Sequence, residues 1–401
     1  MRYAIPGYVH RPGLHCGSSA MRNLLAFRGV VLSEPFCFGL GSGAGFLYLP
    51  GLPVPPGVAF HGRILEMERE LCDALAIPFP EREEEDGDAG WERAREAVLS
   101  GHPVLISTDL AFLDYFATKT HFSGHRIVLF GFDDEKGIAL LSDSEREEPQ
   151  DVPVASLTRA RSSSVPPFPM GNRWCVVRPQ GPLRSLPEAI PLALGKNVRE
   201  MLQPPDGSTA GVSGMRRAAG EIPRWPGMTE DLPFAARFGY QVIEKRGTGG
   251  GFFRRLYARY LDEASPHYPP LAGAGLSGKM TSIADGWTEI AGRLKEISES
   301  QDAGTLLRVS VLLLRQADRE EAFWREIASG RGRIGPCGRT THHRFPIGYG
   351  GIADARDLAS EATGMSWGSS RSESDKSAIP FSSSNPNRTI RCPEKCVFVA
   401  K

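Results

Sequence analysis

The stretch HRIVLFGFDDEKGIALLSD, residues 125–143, constrains the fold more than any other. Two runs of β-branched and large aliphatic residues flank DDEKG, an Asp-rich connection closed by glycine and suited to a hairpin turn. Such a stretch calls for two paired antiparallel strands in a buried sheet. HPVLIST (102–108) reads as a third strand and NRWCVVRP (172–179) as a fourth. With the turn centred on residue 134, the hairpin register sets His125 opposite Asp143.

Helical patterns surround these strands. After Cys16, the residues Ala20, Met21, Leu24, Leu25 and Phe27 recur by threes and fours, and Gly29 offers a C-cap. Residues 61–76 place Ile64, Leu65, Leu71 and Leu75 on one helix face, and GWERAREAVLSG is a further helix closed by Gly101. FGLGSGAGFLYLPGLPVPPGVAF reads as loops and short strands, and EREEEDGDAG as an acidic surface loop. Residues 1–178 are therefore a mixed α and β domain. A Pro-marked linker, 179–189, follows, and then successive helical patterns make residues 190–330 a mostly helical domain. From 331 to 401 no period is sustained and Ser, Gly, Arg and Pro dominate, so a disordered tail is expected.

Composition excludes several classes. Lys+Arg and Asp+Glu are both 47, so no general electrostatic grip on nucleic acid is expected. No run approaches the roughly 18 apolar residues that span a bilayer, and the N-terminus has no apolar core of signal-peptide length. No membrane association and a cytoplasmic location are expected. Seven irregularly spaced cysteines point to reduced thiols rather than a disulfide scaffold.

Cys16 opens the helical pattern in LHCGSSAMRNLLAFRG, residues 14–29. A thiol there faces the positive end of the helix dipole and unpaired backbone N–H groups, which favour the thiolate. Taken alone it is equally a small buried hydrophobe, as most free cysteines are. Nucleophilic catalysis also needs a base and a group that orients it. His125 and Asp143 supply an imidazole and a carboxylate in one hairpin. His15, adjacent to the thiol, reads as a shaping residue. GLGSGAGF lacks the G-x-G-x-x-G spacing of a dinucleotide site. It reads as a tight loop, with Glu34 and Gly41 to Gly45 either walling the cleft or simply packing closely.

These motifs carry a resemblance. HCGSSAMRNLLAFRG resembles the active-site helix of papain-like cysteine peptidases, and GHRIVLFGFDDEKGIALLSD their His and Asp motif. Read with SEPFCFGLGSGAGFLY, GHPVLISTDLAFLDY and EKRGTGGGFFRRLYARYLDEA, the chain resembles the butirosin-biosynthesis acyltransferase (BtrH-like) family over about residues 10–330. The resemblance implies an α+β, papain-like fold followed by a helical domain. It implies acyl transfer from a carrier-protein thioester to a small-molecule amine, with Cys16 as nucleophile, His125 as acid/base and Asp143 as orienter. A peptidase or amidase of the same fold, or a non-catalytic binding module, are the alternatives.

Papain-like enzymes place a glutamine six residues before the cysteine to donate to the oxyanion. Here His10 holds that position, and its N–H or that of the Cys16 backbone would donate. Gly17 keeps the approach to the sulfur narrow. No protein-bound cofactor is expected, the donor itself carrying phosphopantetheine. Thr248, Gly249, Gly250 and Arg254, at an apparent helix start, are candidates for its phosphate, with a simple helix cap as the alternative. Asp114 and Tyr115 are candidate cleft residues. CPEKC lacks a second ligand pair, so no metal is expected.

Overall fold

The computed structural model describes residues 1–329 apart from 167, 301 and 303, and all of them fall within one compact unit. The expected tail, 331–401, with CPEKC, lies outside the described residues. The chain is α+β.

The strands are β1 (Arg2–Ala4), β2 (Ala44–Pro50), β3 (Val58–Arg63), β4 (Val104–Thr108), β5 (His125–Asp133), β6 (Ile138–Ser142), β7 (Gln150–Pro153) and β8 (Trp174–Cys175). Helices interleave with them: α1 (Cys16–Phe27), α2 (Glu34–Leu40), α3 (Met67–Leu75), α4 (Gly87–Leu99) and α5 (Val154–Arg161). Six more come after β8: α6 (Leu186–Leu202), α7 (Gly211–Glu221), α8 (Leu232–Glu244), α9 (Arg254–Ala264), α10 (Leu276–Ser300) and α11 (Thr305–Ser329).

The main sheet is antiparallel, in the order β7-β6-β5-β4-β8, with β1 also paired to β5. β5 is buried along nearly its whole length, as its unbroken apolar run requires. The hairpin between β5 and β6 forms, but its register differs from the expected one. Asp133 pairs with Ile138 and Val128 with Ser142, across an irregularity between Leu129 and Gly131. The turn takes residues 134–137, so its centre lies beyond 134, and the irregularity shifts the ladder back by only one position. Asp143 therefore follows the end of β6 instead of standing opposite His125.

Three further segments depart from the pattern-based reading. Within the Gly-rich stretch, Glu34–Leu40 is helical, capped by Ser33, whose Oγ accepts the Phe36 N–H, with Pro35 in the first turn. The helix expected at 61–76 begins only at Met67, because His61–Arg63 pair with β2. Gly87–Gly90 of the acidic loop form the first turn of α4, on an Asp86 cap.

The start of α6 at Leu186 draws the last four residues of the expected linker into a helix, through a capping box between Ser185 and Glu188. The largest apolar cluster joins α1, α2 and α3 to α6 through α11, with Phe38, Phe252, Tyr257, Trp225, Trp287 and Trp324 at its centre. A second cluster lies on the other side of the main sheet, under α4 and α5. No helix among the described residues is long and apolar enough to cross a membrane.

Candidate active site

Cys16 is the first residue of α1 and is half-buried. The turn before it is fixed from two sides. His15 is the N-cap, and its Nδ1 accepts the Ser18 N–H at 3.2 Å. Burial, with Arg63 nearby, holds the His15 pKa well below the ordinary histidine value, so the ring stays neutral and able to accept. The Glu34 carboxylate accepts the N–H groups of Leu14 at 3.0 Å and His15 at 2.7 Å, and the Ser18 hydroxyl at 3.3 Å. Glu34 thus braces the turn from beneath. The backbone N–H groups of Cys16 and Gly17 have no protein acceptor among the described residues. They are the orphan donors that every helix start presents.

His125 opens β5 and is 1% exposed, with its Nε2 2.8 Å from Asp143 Oδ2. The other ring nitrogen has no protein partner among the described residues, and the Cys16 sulfur is close enough to the same imidazole to influence its charge. Burial pulls the imidazolium down. The Asp143 charge, its hydrogen bond and the Cys16 sulfur outweigh that and hold the His125 pKa well above the ordinary value. Asp143 is fully buried yet well satisfied: Tyr115 donates its hydroxyl to Oδ2 at 2.6 Å and the Glu145 N–H reaches Oδ1 at 3.0 Å. Burial raises its pKa, but His125 and these donors bring it down to about 2. Phe116 meets the His125 ring edge-on. The result is a hydrogen-bonded imidazole–carboxylate pair with a thiol beside it at the head of a helix.

Residues 15–144 match the family model described as butirosin biosynthesis protein H, N-terminal, and residues 155–327 match a domain of unknown function, DUF4872. The chain belongs to the BtrH-like family. The match relates it to enzymes of antibiotic biosynthesis. No curated protein matches it. The BtrH-like N-terminal domain spans Cys16, His125 and Asp143 together.

Two groups of expected site residues stand differently. In the segment just before the BtrH-like match, His10 Nδ1 lies 2.8 Å from Ser142 Oγ, and Nε2 lies 3.0 Å from the Arg146 carbonyl. A carbonyl only accepts, so the His10 N–H is committed there and is not free for an oxyanion. His10 instead ties down the loop that carries Asp143. The Cys16 N–H, by contrast, has no protein acceptor among the described residues.

In the DUF4872 domain, the expected phosphate contacts are internal ones. Thr248 Oγ1 donates to the Ile243 carbonyl at 2.9 Å and accepts the Gly250 N–H at 3.1 Å. Arg254 is fully buried. It pairs with Glu320 at 2.9 and 3.0 Å and donates to the carbonyls of Gly62 and Phe252. Neither the Thr248 hydroxyl nor the Arg254 guanidinium is left for a phosphate. Residues 249–253 all have positive φ, including Phe252 and Phe253. This left-handed run lies against the nucleophile's turn. A Cβ on Gly249 would be 3.2 Å from Leu14 Cδ1, and Phe253 packs on His15 and Phe38.

Of the expected cleft residues, Tyr115 reaches Asp143 directly, whereas Asp114 accepts from Ser156 on α5. Gly17 is required by close approach: a Cβ there would lie 2.1 Å from Glu68 Oε1. No motif in the sequence marks Glu68. Its one signal is its spacing, four residues after Ile64 and three before Leu71, which sets a carboxylate on an apolar helix face. No cluster of metal-ligating side chains occurs among the described residues.

Proposed function

We propose that the protein is a cysteine-dependent acyltransferase. It moves an acyl or aminoacyl group from the phosphopantetheine thioester of a carrier protein to a small-molecule amine, in natural-product biosynthesis. The observation that carries this reading is the chain from Cys16 through His125 to Asp143 at the start of α1, within a BtrH-like domain. A nucleophile-bearing helix against an antiparallel sheet that supplies His and Asp supports a papain-like fold.

In the first step the Cys16 sulfur attacks the thioester carbonyl. The Cys16 N–H donates to the developing oxyanion. The donor's carbon–sulfur bond breaks, and His125 protonates the departing thiol. In the second step the amine attacks the acyl-enzyme, His125 takes its proton, and Cys16 leaves as thiolate. Asp143 fixes the imidazole tautomer and stabilises the imidazolium throughout. A bound amine outcompetes water through effective concentration.

Incubation of the full chain with an activated acyl thioester, followed by intact-mass measurement, tests the reading. The wild type gains one acyl mass, Cys16→Ala none, and His125→Ala nearly none. An unchanged mass gain on Cys16→Ala overturns it. Release as free acid in the presence of amines would make the protein a hydrolase of the same fold.

A further inference from the structure

Glu68 is a charged group beside the nucleophile that the reaction above leaves unused. It lies in the first turn of α3, 1% exposed, and neither carboxylate oxygen has a hydrogen-bond partner among the described residues. Arg63 comes no closer than 3.8 Å, because its Nη1 is held by the carbonyls of Ile64 and Leu65 at 2.9 and 3.4 Å. Arg126, a second guanidinium in range of the Glu68 charge, is tied to Glu81 and Ser107, each at 2.7 Å. An ionised carboxylate has about four acceptor sites. Burying one with none of them filled is unfavourable unless a donor arrives from elsewhere.

The location says what the donor meets. The carboxylate rests against Gly17, the residue after the nucleophile, where any Cβ would collide with it. His61 Nε2 is also buried without a partner among the described residues, and its ring stands near Arg63 and His15. Two unpartnered polar groups therefore flank the helix start that carries Cys16.

We propose that Glu68 is the counter-ion for an ammonium group on the substrate, held at the helix start that carries Cys16 and Gly17. An ammonium brings three N–H donors and a positive charge, which matches a carboxylate that lacks donors. The proposal rests on the acyl-transfer reading for the identity of the substrate. The ammonium belongs either to the acyl group or to the acceptor amine, and isosteric pairs separate the two.

Loading of the full chain is compared for β-alanyl and butyryl thioesters of N-acetylcysteamine. Transfer, and binding to the unacylated protein by calorimetry, are compared for 1,4-diaminobutane and pentylamine. In the wild type the member of one pair that carries the additional ammonium is preferred. Glu68→Gln keeps the shape and lowers that preference roughly tenfold to a hundredfold. Equal handling of both members of both pairs by the wild type overturns the proposal without any variant. So does a preference that survives in Glu68→Gln. Absence of acyl loading with Glu68-dependent diamine binding retained removes the acyl-transfer reading and leaves the ammonium site. Normal loading and transfer without Glu68 dependence does the reverse.

Discussion

Asp143→Asn changes one oxygen to an amide nitrogen at the centre of the site, where both carboxylate oxygens already accept hydrogen bonds. Asp143 receives three donors: His125 and Tyr115 on Oδ2, and the Glu145 N–H on Oδ1. Asparagine has one acceptor oxygen. If it faces Glu145, the amide N–H₂ points at His125 and Tyr115, and the imidazole is driven to the tautomer that cannot take a proton from Cys16. If it faces His125, the amide collides with the Glu145 N–H. Either way the imidazolium loses a neighbouring charge. Opposite charges about 4 Å apart at an effective dielectric of about 20 attract by about 4 kcal/mol. The asparagine amide dipole recovers part of that attraction, so a net loss of about 3 kcal/mol is expected, a factor of about 100 in rate. The assay is alkylation of Cys16 by iodoacetamide at pH 6.5, with intact-mass readout, beside thioester loading. Both rates should fall about 100-fold while the melting temperature moves only a few degrees. A variant that is folded and alkylates within twofold of the wild type would refute the reasoning.

Stability should fall on both sides of neutrality. The depressed Asp143 pKa stabilises the fold above the ordinary carboxylate range, and that contribution is lost as pH drops from about 4 to about 2. The raised His125 pKa stabilises it below about 6.5, and that contribution is lost as pH rises through the higher folded value. Thermal denaturation across pH, in the wild type and in Asp143→Ala, checks both limbs, which should flatten in the variant. Arg254→Ala leaves the fully buried Glu320 without its cation and should cost about 3–5 kcal/mol in urea denaturation, while leaving wild-type levels of acyl loading in the fraction that folds. Gly17→Ala drives a Cβ into Glu68, Met67 and His15 and should cost about 1–3 kcal/mol. Most of that cost should disappear when Glu68 is also truncated to alanine, as a double-mutant cycle would show.

The parts of this chain that are legible in sequence are those with local signals. The β5–β6 hairpin, the helix after Cys16 and α4 announce themselves by period and by turn residues. Cys16, His125 and Asp143 are legible because a helix start and a hairpin end are both marked. The register is not, since the turn at 134–137 is centred beyond residue 134 and an irregularity near Gly131 shifts the ladder. α2 is hidden among glycines, although Ser33 and Pro35 carry a helix-start signal. The role of His10 depends on the Arg146 carbonyl, 136 residues away, and no local pattern encodes such a partner. Arg254 misleads for the same reason: an arginine at a helix start resembles an anion site until Glu320 is placed beside it.

The left-handed run at residues 249–253 has a consequence for how such proteins diversify. It is contributed by the C-terminal half of the chain, yet it abuts the turn that aims the nucleophile. The two halves are therefore not interchangeable parts. A chimaera that took its helical half from a relative would also replace one wall of the catalytic turn. It would keep its chemistry only where Leu14, His15 and Phe38 still fit the incoming glycines and Phe253. Changes of substrate in this lineage are thus expected to arise by paired substitution across the two halves rather than by wholesale exchange of either.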